Sequence, residues 1–501
     1  MTLLPILPLL IPFGTATLCL LSWKRPGLQK VVAVMGSLGL LVAALMLLAV
    51  VREEGYLVLQ AGGWPAPFGI SLVVDLFSAL MTTLAGVTGV AVTFYSLSGS
   101  DQGREIQGFY SFLHWLLMGV CGCFLAGDLF NLYVWFEVML MASFILMSLG
   151  RERGQIEGGV KYVVLNLVAS AFFLTGLGIL YGLVGTLNMA DIARRLQVIN
   201  QPGLSAALAM LFLTAFGIKA ALFPFFSWLP ASYHTPPVAV SALFAGLLTK
   251  VGVYALVRTF TLLFVQDFTH QLILVLSGLT MITGVLGAVS QNHFRRILSF
   301  HIISQVGYMI MGLALFTPLA LAGSVFYIAH HIIVKTNLFL VSGVARRLRG
   351  TEDLAQLGGL LRTAPWLAVL FLIPALSLAG MPPLSGFWAK LFLIWSSFQE
   401  KNYLIGAIAL AVGLITLLSM IKIWTKAFWG TVPAPQPNQP ASQQKLPLGE
   451  ALLLYLPMAS MALLTLTISL WPDLLFQMAQ EVAAQLLDPG QYIQAVLRGG
   501  T

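Results

Sequence analysis

LSAALAMLFLTAFGIKAALFPFFSWLPASYHTPPVAVSALFAGLLTKVGVYALVRTF, residues 204–260, reads as two membrane helices, and each carries one lysine deep inside its apolar run. Lys219 lies about fifteen residues into the first run and Lys250 about fourteen into the second. Neither is near enough to a helix end to snorkel easily. A lysine near the bilayer centre costs roughly 2.5–3.5 kcal/mol on insertion scales, so it needs a partner or a water path. Pro224 removes a backbone N–H and clashes one turn back, so the first helix must kink or break just after Lys219. A broken helix at membrane depth is tolerated only inside protein or beside a wet cavity. Lysine, break and second lysine together point to an ion pathway inside a helical bundle.

The rest of the chain fits that reading. Of its 501 residues, 58% are hydrophobic and 9% charged, which excludes an ordinary soluble domain. Apolar runs long enough to cross a hydrocarbon core of about 30 Å recur from end to end. Fourteen such spans are expected, in order at about 3–22, 28–51, 70–96, 108–127, 129–149, 160–186, 205–232, 237–262, 270–290, 297–315, 318–345, 365–399, 403–428 and 447–471. A Pro/Gln-rich loop, VPAPQPNQPASQQK (432–445), separates the last two. The expected fold is therefore an all-α integral membrane protein, a single polytopic domain over 1–501, with no segment suited to hold a nucleotide, haem or iron–sulfur cluster.

The net charge of +8 does not indicate nucleic acid. Of 26 Lys and Arg, four lie deep within spans: Lys219, Lys250, Lys335 and Lys390. Counted with the nearest connection, 16 of the others go to the odd-numbered connections and 6, Arg258 among them, to the even ones and the C-terminal tail. The positive-inside rule then makes the odd connections cytoplasmic and puts both termini on the outer side of a cell membrane. The first residues, MTLLPILPLLIPF, lack a basic region and a small-residue cleavage site, and are expected to begin span 1. Cys121-Gly122-Cys123 has the wrong spacing for a zinc or thioredoxin motif; with Cys19, these are expected as small packing residues.

Other ionisable groups recur at membrane depth. Glu137, in DLFNLYVWFEVMLMASFILMSLG, has no polar residue within one turn, so a cation on another helix is expected, with Lys219 the candidate. Span 11 carries His331 and Lys335 four apart on one face, with His330 pointing elsewhere. Span 12, PALSLAGMPPLSGFWAKLFLIWSSF (374–398), is broken by Gly380, Pro382, Pro383 and Gly386, and Lys390 follows at once. Spans 7 and 12 are thus both interrupted, both carry lysine and are five apart. Two inverted five-helix repeats are expected, spans 4–8 (108–262) and 9–13 (270–428). Asp75, His234 and His301 are polar groups near span ends, and the loop GTLNMADIARRLQ reads as a short surface helix.

At these residues the sequence resembles a known family. GIKAALFPFFSWLPASYHTPPVAVSALFAGLLTKVGVYALVR (217–258) is similar to the signature of the proton-conducting antiporter family. That family includes the large antiporter-like subunits of respiratory complex I, the large subunits of the Mrp (multiple resistance and pH) cation/proton antiporters, and membrane-bound hydrogenase relatives. GDLFNLYVWFEVMLMASFILMSLG, GGVKYVVLNLVASAFFL, QNHFRRILSFHIISQVGYMIMG and HHIIVKTNLFL look most like the Mrp D branch. The resemblance implies that Glu137 and Lys219 are the family's span-5 glutamate and span-7 lysine, that Lys250 is the lysine of the central relay, that His331 and Lys335 are its polar span-11 segment, and that Lys390 is the terminal site. It implies H⁺ translocation without a cofactor or bound metal, coupled to Na⁺ export by a bacterial complex with subunits of the Mrp A, B, C, E, F and G type. Such a chain would be a secondary-transporter subunit and not an enzyme. The alternative implied is a proton-pumping subunit of complex I or of a membrane-bound hydrogenase, driven by electron transfer in a soluble arm.

Overall fold

A computed structural model describes residues 3–99, 108–150, 152–199, 201–431 and 446–498; the Pro/Gln-rich loop at 432–445 lies outside them. The chain opens with α1 (Leu7–Leu21) and α2 (Pro26–Glu54), followed by β1 (Leu57–Gln60) and β2 (Ser71–Val74). These two strands form an antiparallel hairpin, with Leu57 opposite Val74 and Gln60 opposite Ser71. The purely helical expectation missed it, because four-residue strands beside long apolar runs carry no separate periodic signal. Next come α3 (Leu76–Ser96), α4 (Phe109–Leu125), α5 (Leu129–Ser148), α6 (Arg153–Val184) and the short α7 (Met189–Leu196).

The first lysine-bearing span is broken as expected. α8 (Pro202–Ala220) ends one residue after Lys219, and the chain re-enters helix only at α9 (Trp228–Ser232). Its C-cap, Ala221, is left-handed at φ 62°. α10 (Val238–Leu243) then widens into a π-helical turn at Phe244–Leu248 before α11 (Thr249–Leu262). α12 (Asp267–Ser290), α13 (Phe294–Leu315), α14 (Pro318–Arg349) and a single turn, α15 (Leu360–Thr363), follow. The second break separates α16 (Pro365–Ala379) from α17 (Ser385–Gln399), with Gly380 as the left-handed cap at φ 90°. α18 (Tyr403–Ile423) runs into a second π turn, Trp424–Trp429. α19 (Leu448–Leu470), α20 (Pro472–Leu487) and α21 (Pro489–Arg498) complete the chain.

Twelve helices among the described residues are long and apolar enough to cross a membrane; Phe109–Leu125 and Pro365–Ala379 are apolar but shorter. The apolar window of α14 is 100% buried within the chain, whereas that of α19 is 33% buried. α14, the α10–α11 segment and α13 therefore form the centre, and helices such as α2, α6, α18 and α19 form the rim. The central helices are the ones that carry Lys250, His301, His331 and Lys335.

Two polar clamps close the ends of this core. At one end, Arg295 of α13 makes a two-pronged contact with Glu352 (2.7 Å for each prong) and donates to the Pro236 carbonyl at 2.6 Å. At the other, Asp75 caps α3 through a reciprocal bond with Ser78 and pairs with Arg258 of α11 at 2.5 Å. Arg258 is buried inside α11, so its assignment to an aqueous connection in the charge count is corrected. α21 covers this pair with Tyr492, 5.3 Å from the guanidinium, and Gln485 of α20 accepts from the Leu76 N–H. The surface helix expected in GTLNMADIARRLQ is α7, with buried Asp191 held by Arg194 and Arg195.

Candidate functional site

Glu137 and Lys219 are brought together, but not as the direct ion pair expected. The Ser170 hydroxyl of α6 lies between them, in short hydrogen-bond contact with Glu137 Oε1, and Lys219 Nζ donates to the same hydroxyl at 3.3 Å. The ammonium also lies 4.6 Å from the centre of the Phe136 ring, a favourable cation–π arrangement. Lys219 is buried in the last turn of α8, where the unpaired carbonyl ends favour a cation. Glu137 is only half-buried and lines an apolar groove of about 400 Å³ between α4 and α5, bounded by Phe112, Trp115, Tyr133 and Met141.

Lys250 is fully buried in the first turn of α11. Its ammonium donates to the Ala245 carbonyl at 2.6 Å and to Thr249 Oγ1 at 3.3 Å. Ala245 lies in the π turn, whose wider winding breaks the regular backbone ladder; such turns frequently mark functional sites. Gly246 is needed there, because an added Cβ would collide with Thr336 Oγ1 of α14.

On α14, Lys335 donates to the Leu298 carbonyl of α13 at 3.1 Å. His331, one turn earlier and fully buried, has no hydrogen-bond partner among the described residues on either ring nitrogen. Buried polar groups in native proteins are normally paired, which sets this imidazole apart from its neighbours. His331 lies within electrostatic reach of Lys250, Lys335, His330 and His301.

Lys390 sits in the second turn of α17 and reaches back across the break. It donates to the Leu378 and Ala379 carbonyls at 3.0 and 2.8 Å, and lies 5.1 Å from the centre of the Tyr308 ring. Both broken helices thus place an ammonium at the C-terminal end of their first half. Lys219 comes from that same half-helix and Lys390 from the following one, so the two lysines are not at equivalent positions.

Every candidate residue is therefore either buried or, for Glu137, bound to a buried partner. Three more groups join them that the residue pattern did not single out. One is the Ser170 hydroxyl between Glu137 and Lys219. Tyr327 bonds Gln305, and Tyr308 donates to the Ala409 carbonyl at 2.5 Å. His301, whose role the sequence left open, contacts Ser419 of α18. Hydroxyls within apolar runs give no sequence signal of their own, because serine and threonine commonly satisfy themselves on the preceding turn. His234 bonds the Pro230 carbonyl at 2.9 Å and faces His293 at the Arg295 clamp, away from the central line. The three cysteines are buried and free.

A helical bundle with two broken helices and a buried line of ionisable groups defines the class: a polytopic ion-translocating membrane protein. Residues 126–416 match the model of the family described as NADH:quinone oxidoreductase/Mrp antiporter, TM. The chain is 50% identical to the D subunit of the Na(+)/H(+) antiporter of Alkalihalophilus pseudofirmus, over 99% of each chain. It is 40% identical to the protein of the same name from Bacillus subtilis, over 98% of this chain and 99% of that one. The solved Mrp complex from Dietzia sp. contains a chain that superposes with a TM-score of 0.91 at 34% identity, covering 99% of this chain and 100% of the other. This chain belongs to the NADH:quinone oxidoreductase/Mrp antiporter family, within the branch of the Mrp D subunits.

Proposed function

We propose that this chain is the proton-translocating subunit of a bacterial multi-subunit Na⁺/H⁺ antiporter, a transporter subunit that acts beside Mrp-type partners. The observation that carries the reading is the sequence Glu137, Ser170, Lys219, Lys250, His331, Lys335 and Lys390, buried throughout except at the half-buried Glu137. Its lysines rest on hydroxyls and carbonyls, which accept from an ammonium but do not lock it as a carboxylate would. A proton added at one member raises the electrostatic energy of the next in a poor dielectric, so movement at one position biases its neighbour. Release of Lys219 from Ser170 and Glu137 would push on Lys250, and the disturbance would pass through His331 and Lys335 to Lys390. Four lysines and one carboxylate offer little to a hard cation that prefers oxygen ligands, so Na⁺ is assigned to the complex and not to this line.

Two finer points belong to the same reading. The excess of Lys and Arg, 16 against 5 once the buried Arg258 is set aside, favours an orientation with both termini on the outer side; the Arg295 and Arg296 end of the bundle would then be cytoplasmic. The segments 108–262 and 270–428 are proposed as inverted repeats. The left-handed caps Ala221 and Gly380 at the two breaks support this.

The test is sodium-dependent collapse of a pH gradient in inverted vesicles that hold the complete complex, in a host without other antiporters. Wild-type complex should show it, and Glu137→Ala and Lys219→Ala should not, with assembly retained. Full exchange by both variants would refute the proton path.

A further inference from the structure

The break in span 12 carries a second set of polar groups that the line through Lys390 does not use. His330, fully inside the bundle, points from α14 into the break and not along the face of His331 and Lys335. Its Nδ1 lies 2.8 Å from Ser385 Oγ, at the first residue of α17. Ser385 Oγ lies 2.9 Å from Ser377 Oγ, in the last turn of α16. Ser377 Oγ also accepts the Gly386 N–H at 3.2 Å, which leaves it one lone pair. The other ring nitrogen of His330, Nε2, is buried and has no hydrogen-bond partner among the described residues.

The geometry around these groups is closely constrained. The Ser385 N–H donates to Ser469 Oγ of α19 at 2.8 Å, and Ser469 in turn donates to the Thr465 carbonyl at 2.6 Å. The rim helix thereby fixes the backbone from which the Ser385 hydroxyl projects. A Cβ at Gly386 would overlap the Ser377 carbonyl oxygen and lie 3.0 Å from His330 Nε2, so only glycine permits this approach. Lys390 rests on the carbonyls of the two residues after Ser377. On the far side, Tyr308 lies under that ammonium, Tyr327 stacks on Tyr308 at 5.2 Å, and His330 meets Tyr327 edge-on at 5.7 Å. Lys390 and His330 thus flank the same break, with the rings of Tyr308 and Tyr327 between them.

We propose that His330 is a further proton-carrying residue of this chain, loaded across the span-12 break through Ser377 and Ser385. The inference rests on the proton-translocating reading above. Neutral His330 begins with its proton on Nε2, while Nδ1 accepts from Ser385. A proton arriving on the free lone pair of Ser377 Oγ displaces that residue's own hydrogen to Ser385 Oγ. Ser385 passes its hydrogen to His330 Nδ1, and the imidazolium releases the proton on Nε2. One proton enters, one leaves, and only O–H and N–H bonds form or break. The hydroxyls then reorient and the imidazole hydrogen moves from Nδ1 to Nε2 by tautomer exchange, which restores the starting state.

The test uses the whole complex in inverted vesicles, with exchange rate measured against sodium concentration at a fixed pH gradient. His330→Gln keeps a hydrogen-bonding group toward Ser385 but cannot carry a proton. It should lower turnover at least about tenfold, with half-saturating sodium unchanged within about twofold. Ser385→Ala should lower turnover in the same way and less severely. Wild-type turnover in His330→Gln would overturn the proposal. If that variant does not assemble with its partners, wild-type turnover in both Ser385→Ala and Ser377→Ala overturns it instead. Absence of exchange in the wild-type complex would refute the antiporter reading itself, a result distinct from either variant outcome.

Discussion

Glu137 and Lys219 share one hydroxyl. Ser170 touches the carboxylate with one side of its oxygen and takes the ammonium's hydrogen bond with the other. A hydroxyl between unlike charges both weakens their direct attraction and offers a proton a stepping place. Ser170→Ala should therefore lower turnover by about ten- to a hundredfold, the equivalent of one hydrogen bond to a charged group, with the complex still assembled. Ser170→Thr, which keeps the hydroxyl, should recover most of it. The check is exchange rate in inverted vesicles; an unaffected Ser170→Ala would show that Glu137 and Lys219 do not communicate through this oxygen.

Lys390 offers a separation of packing from proton transfer. Its two bonds go to carbonyls at the end of α16, so its positive charge also steadies the break. Lys390→Arg should preserve assembly, since a guanidinium can donate to both carbonyls, but should abolish exchange, since arginine does not release its proton. Lys390→Ala should impair both. Blue-native electrophoresis with vesicle assays reads the two effects apart; exchange by Lys390→Arg would mean that this group need only be charged.

Lys250 tests which ion the line carries. Lys250→Ala removes the central ammonium without touching an oxygen cluster. Turnover should fall in both directions while half-saturating sodium stays where it was, the behaviour expected of a lost transfer step. A large shift in half-saturating sodium with preserved turnover would place a sodium site beside Lys250 and remove the assignment to protons.

The Asp75–Arg258 clamp should act on stability. Both groups are buried, and removing one strands the other. Arg258→Ala should cost about 3–5 kcal/mol, as breaking buried ion pairs generally does. Asp75→Asn with Arg258→Leu should recover part of that loss. Thermal unfolding of the purified complex measures it, and equal stability of the single and double variants would contradict the coupling.

Acid should loosen the opposite end. His234 is pushed down to about 4, by burial first and then by the nearby His293, Arg296 and Arg295 charges. His293 is also lowered, mainly by burial and partly offset by Glu352. The unfolded chain holds these protons with an ordinary pKa of about 6.5, so between that value and the folded one it binds more protons than the native state does. The stabilisation is present above about pH 6.5 and is lost as pH falls toward about 4. Amide exchange at residues 232–236 and 291–293 should accelerate over that window, and His234→Gln with His293→Gln should flatten the change.

The sequence by itself determined the membrane class, the two breaks and the four lysines at membrane depth. Runs of apolar residues, a proline after Lys219, and Gly380 with Pro382 and Pro383 before Lys390 are local features. Their consequences follow from backbone sterics and from the cost of charge in hydrocarbon. The tertiary structure decided what each charge touches. Glu137 meets Ser170 from 33 residues away, and Asp75 meets Arg258 from 183 residues away. Lysines read as members of a charge relay proved to rest on the carbonyls of Ala245, Leu298, Leu378 and Ala379. A carbonyl is present at every residue, and only packing exposes particular ones, through a π turn or a helix end. The hairpin and the covering helices α20 and α21 were missed for a related reason. Short or amphipathic segments gain their structure from the surface that they cover, and that surface exists only after the bundle has formed.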